Sequence, residues 1–160
     1  NSWSKSKNVF FKFFSFLHNI SRILSDVLPT PYSDFVEPKT FKNFLDKIEL
    51  EKCTGLECDG TTRILNYVAK QKGIVMIPKV GAIYLQKDGN IVNGFEPHLW
   101  NEIMIDDEPY IIDYRARMWL GNDAPHGIFK REDAKEMGWN YIGDDVGFND
   151  NVTRVMFNLK

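Results

Sequence analysis

The chain has 160 residues, enough for one domain with a proper core and too few for two comfortable ones. Hydrophobic residues at 43% and charged residues at 26% exclude a disordered or low-complexity chain, and a formal net charge of −2 leaves no global basic field for nonspecific nucleic-acid binding. Two cysteines do not make a disulfide scaffold, and neither they nor the three histidines show the spacing of a zinc site.

The first predicted element is "NVFFKFFSFLHNISRILSDVL". Lys12, His18, Arg22 and Asp26 interrupt its apolar run, so it does not read as a spanning helix, and no small-residue cleavage site closes it like a signal peptide. Phe10, Phe13, Phe14, Leu17, Ile20, Leu24, Val27 and Leu28 recur at helical spacing and predict an amphipathic helix. Its apolar face would pack on a core. The sharper alternative is contact with a membrane surface or partner through residues 9–28, helped by Lys5, Lys7 and Lys12. Residues 1–28 therefore read as a helical extension and 29–160 as a single domain.

"LPTPYSDFVEPKT" follows as an extended connection. Thr40 is expected to cap a short helix from Phe41 to about Leu50, with Phe41, Phe44, Leu45 and Ile48 on one face. A third helix is expected from about Cys58 to Lys72, burying Ile64, Leu65, Val68 and Ala69 and stopping at Gly73. The period then becomes strand-like. "IVMIPKVGAIYLQ" and "NIVNGF" flank the turn signal Lys87-Asp88-Gly89, and "HLWNEIMIDDEPYIIDYRA" predicts a further hairpin. After the loop "LGNDAPHG" come a short helix over Glu132 to Met137 and a final strand "TRVMFNLK". Helices precede a largely antiparallel sheet, which is an α+β pattern.

If Asp106-Asp107 form the turn of the second hairpin, each residue opposes the one whose number completes a sum of 213. His98, Trp100, Asp113 and Arg115 then share one face, and Leu99, Asn101, Ile112 and Tyr114 the other. His98 and Asp113 become diagonal neighbours with Cβ atoms roughly 7 Å apart, a gap that a carboxylate and an imidazole can close. Such a carboxylate orients the ring and stabilises its protonated form. A nucleophile for this histidine stands at the start of the third helix: Cys58, where free amides and the positive end of the helix dipole favour a thiolate. Adjacent Asp59 opposes that, so a His98 imidazolium must supply most of the lowering. Trp100 and Arg115, on the same face, are candidate substrate contacts. Cys53 reads as structural, and His126 as a loop histidine.

"CDGTTRILNYVAKQKGI" and "HLWNEIMIDDEPYIID" together resemble the transglutaminase-like branch of the papain-like fold, in which a cysteine opens a helix ending in Gly-Ile and a His-x-Trp-x-Glu strand turns and returns to an aspartate. The resemblance spans roughly Gly55 to Tyr114. It implies a papain-like α+β domain with Cys58 as nucleophile, His98 as general base and then acid, Asp113 as orienting residue, and no cofactor. Leu99, Asp107 and Tyr114 depart from the commoner alanine, glycine and proline, and the Gln-Cys-Trp signature of calcium-dependent transglutaminases is absent. The implied activity is thiol-dependent chemistry on protein or peptide amides: hydrolysis, glutamine deamidation or transamidation. Hydrolysis or deamidation is favoured because nothing marks a second-amine site. The alternatives are a noncatalytic binding module retaining the fold, or a membrane-associated adaptor using the Phe-rich helix. The expected setting is a reducing compartment such as the cytoplasm, including another cell's cytosol for a secreted effector.

Overall fold

The computed structural model describes residues 37–160; the amphipathic segment and most of the proline-containing connection lie outside them. The described residues are α+β, with five helices and one antiparallel sheet of five strands. None of these helices is long and apolar enough to cross a membrane.

Helix α1, Pro38–Lys52, starts earlier than Thr40 suggests. Glu37 is the cap, its carboxylate accepting from the Lys39 and Thr40 amides, while the Thr40 hydroxyl donates to that same carboxylate. Pro38 suits the first helical position because it has no amide hydrogen to satisfy and its φ is already helical. Helix α2, Cys58–Gln71, ends where the Gly73 amide bonds Lys70 O and the Ile74 amide bonds Ala69 O. Gly73 reverses the chain at φ +76°, a conformation in which a Cβ would be strained.

Strands β1, Ile77–Lys87, and β2, Asn90–Ile105, meet at Asp88-Gly89; β2 and β3, Glu108–Asp113, meet at Asp106-Asp107. All four turn residues have positive φ, as a two-residue hairpin of type I′ requires. In the second hairpin Asn101 faces Ile112 and Ile103 faces Tyr110, the register expected from the turn. The sheet continues through β4, Gly127–Lys130, and β5, Trp139–Asp145, in the order β4-β3-β2-β1-β5. Neither outer strand was expected from the sequence. Short helices α3, Ala116–Leu120, and α4, Arg131–Glu136, link the later strands. The C-terminal segment, expected as a strand, is helix α5, Asp150–Met156. Its β-branched residues favour a strand, but Asn149 caps the Val152 amide and buried Thr153 fixes the helix against the domain.

Two cores lie on opposite faces of the sheet. Phe41, Leu45, Ile64 and Leu65 of α1 and α2 pack on Ile103, Ile105 and Ile112. Across the sheet, Ile83, Trp100, Ile111, Trp139 and Tyr141 pack with Leu120 and Ala134. Full burial of one such side chain contributes roughly 1.5–3 kcal/mol. Between these cores β2 carries a bulge. Gly81 opposes His98 while Ile83 opposes Phe95, so one residue of β1, Ala82, stands against two of β2, Glu96 and Pro97. The extra residue brings Phe95 and His98 to the same side of the sheet, their rings 6.0 Å apart and edge-on.

Candidate active site

Asp113 ends β3 with every lone pair directed to a donor. Its Oδ1 accepts from the Arg115 and Ala116 amides at 2.8 and 3.0 Å, and its Oδ2 accepts from His98 Nε2 at 2.8 Å and the Tyr141 hydroxyl at 3.1 Å. The group is 3% exposed, so an unpaired charge here would be very costly, and four donors offset its lost hydration. Burial, then the Asp113 charge, pushes the Tyr141 phenol far above its usual range, so it remains a donor.

His98 is fully buried. Asp113 holds Nε2, leaving Nδ1 without a hydrogen bond of good geometry and available to the thiol of Cys58, with which the ring interacts. Burial disfavours the charged ring, but the bond to Asp113, the interaction with Cys58 and the negative charges of both outweigh it and raise His98 to about 9. At Cys58 burial again acts against ionisation. The interactions with His98 and with the Leu99 amide, together with the charge on His98, overcome it and lower the thiol below its ordinary value. Each shift favours the charged form, thiolate at Cys58 and imidazolium at His98.

Cys58 is the first residue of α2, and Glu57 makes no side-chain cap there, so the first-turn amides face the site without an intrahelical acceptor. Asp59, expected to oppose the thiolate, has its carboxylate held by Arg63 Nε at 2.7 Å. Asn101, buried under the helix, donates to Thr62 O and accepts from Asn66, fixing α2 on β2. Cys58 is a free, partly exposed cysteine.

Trp100 and Arg115 are placed differently from the expectation that they contact substrate. Trp100 has no exposed surface: it stacks behind His98 at 6.1 Å, meets Tyr141 edge-on at 5.3 Å and bonds Glu102 through Nε1. A Cβ on Gly143 would lie 2.6 Å from its ring, so this glycine lets β5 close over the indole. Arg115 is 7% exposed and engaged throughout, donating to Leu56 O, Cys53 O, Tyr114 O and Glu49. It clamps the loop that delivers Cys58. Cys53 is fully buried, and burial raises its thiol to about 11. His126 packs edge-on against Tyr114 at 5.3 Å, away from the His98–Asp113 pair's hydrogen bonds.

The sequence reading missed two groups here. The Leu99 amide becomes free to meet sulfur because the paired β2–β3 ladder stops at Asn101–Ile112. Tyr141 arrives on β5, a strand with no turn-flanked alternation to announce it. Among the described residues no group of three or more His, Cys, Asp or Glu side chains is placed to hold a metal ion. No protein-family model matches the chain, and no curated protein or solved structure matches it significantly.

Proposed function

We propose that the chain is a cysteine-dependent enzyme of papain-like, transglutaminase-like design that transfers the acyl group of a protein or peptide amide through a thioester. The observation that carries this reading is the convergence of a partly exposed helix-first Cys58 on a buried His98 whose far nitrogen is 2.8 Å from Asp113. In the first step the Cys58 thiolate attacks the amide carbon, and the developing oxyanion meets the free amides of the α2 first turn. The His98 imidazolium gives its proton to the departing nitrogen, the C–N bond breaks, and a thioester remains. Water then attacks the thioester as His98 takes its proton; the carboxylic acid leaves and the thiolate is restored. Asp113 keeps the imidazole in one tautomer and orientation through both steps.

Hydrolysis and deamidation share this path and differ in the leaving group, a peptide amine or ammonia. The test incubates candidate proteins with wild type and with Cys58→Ala. Ammonia release with a gain of about one dalton per site identifies deamidation, and new termini identify proteolysis. Labelling of Cys58 by iodoacetamide that rises only near the ordinary thiol value of about 8.5 would instead mark a noncatalytic module.

A further inference from the structure

We infer that an exposed groove on β1, β2 and β5, next to His98 along and across the strands, receives the peptide flanking the target amide and selects a lysine or arginine side chain. This rests on the cysteine-enzyme reading above and adds its substrate class. The groove has a volume of about 570 Å³. Val80, Ala82, Pro97 and Ile142 form its apolar lining, and Glu96 and Asp144 its polar part. Val80, Ala82 and Ile142 alternate with Gly81 and Tyr141 along their strands, so they face the side of the sheet that carries α2. The groove is continuous with the catalytic strand: Pro97 precedes His98, and Gly81, also in its wall, is the cross-strand partner of His98.

The lining decides the occupant. Ile142 is 60% exposed, an apolar surface suited to the methylene stem of a long side chain. Glu96 and Asp144 take part in no ion pair among the described residues. Lys79, which precedes the lining residue Val80 on β1, is itself engaged by Asp145. A cationic head at the end of an aliphatic stem meets two carboxylates here, whereas an acidic side chain is repelled by both.

The test uses three N-iodoacetyl tripeptide amides, Ala-Lys-Ala, Ala-Leu-Ala and Ala-Glu-Ala, each alkylating Cys58 by displacement of iodide. Every rate is divided by that of iodoacetamide on the same protein, so thiol reactivity cancels. In wild type the lysine peptide should label about tenfold faster than the glutamate peptide, with leucine between them. The ratio should fall to within about twofold in Glu96→Gln/Asp144→Asn, and should shrink as NaCl rises from about 0.05 to about 0.5 M. A ratio near one in wild type, or one that survives the double substitution, overturns the inference. Failure of the thiol-enzyme reading shows separately, as iodoacetamide labelling confined to alkaline pH; the peptide ratio measured there still reports on the groove.

Discussion

Cys53 and Cys58 are separated by a single loop, yet the fold gives them opposite chemistry. Cys53, at the C-terminal end of α1, is enclosed with Arg115 on its carbonyl, and burial raises its thiol to about 11. Cys58, at the start of α2, is also penalised by burial, but an imidazole and a backbone amide reach its sulfur and reverse the balance. Burial by itself makes a thiol inert. A donor pair added to that burial lowers the thiol instead, and in this chain the pair comes from adjacent residues of β2, His98 and Leu99.

The largest effect expected from breaking this contrast is in Cys58→Ala, which should lower amide turnover by at least about 10⁴-fold, measured as product per enzyme under single-turnover conditions. Cys53→Ala should leave turnover within a small factor and cost about 1 kcal/mol in urea unfolding. Next is Asp113→Asn, which replaces an acceptor of four hydrogen bonds by a group that also donates. It should reduce acylation by roughly 10²–10⁴-fold and move Cys58 alkylation towards alkaline pH, because His98 loses the partner that holds its charge.

The two thiols should also separate in wild type. Burial holds Cys53 at about 11 while Cys58 lies below the ordinary value, so mass-resolved iodoacetamide labelling near neutrality should favour Cys58 by more than about 100-fold. The pH dependence has a defined sign. Acylation needs thiolate and imidazolium together: it should fall on the acid side as Cys58 is protonated, below its ordinary value, and on the alkaline side as His98 loses its proton at about 9. An alkaline limb near 6.5 would refute the pairing. Arg115→Ala removes the clamp on Leu56 O and Cys53 O and leaves Glu49 without its cation; a loss of roughly 2–4 kcal/mol is expected, read by urea unfolding. Smallest is Tyr141→Phe, which deletes one of four bonds to Asp113 and should cost about 1 kcal/mol with a several-fold slower acylation.

The α+β class, the two tight turns and the β2–β3 register were legible because each depends on local chemistry. An Asp-Asp pair between apolar runs sets which residues face one another, and that register already places His98 beside Asp113. The helix starting at Cys58 was legible from its period and its glycine stop. Other elements were not. Val152, Thr153 and Val155 read as a strand until Asn149 and the packing of Thr153 are seen to make a helix. Strand β4 has four residues, and β5 finds its partner in β1, far back in the sequence. Arg115 read as a candidate substrate contact because strand alternation cannot show that the chain enters α3 just after it.

The amino-acid sequence by itself determined which residues could ionise, donate and attack, and through turn chemistry it determined that histidine and aspartate would be neighbours; these are matters of side-chain type and short-range geometry. Only the tertiary structure decided that β3 ends where the Leu99 amide is needed, that Arg115 and Asn101 hold α2 so that sulfur meets imidazole, and that Trp100 lies behind the ring instead of beside a substrate. Those outcomes depend on burial and on contacts between segments far apart in the chain, where desolvation and hydrogen bonding compete, and no local pattern encodes which of them prevails.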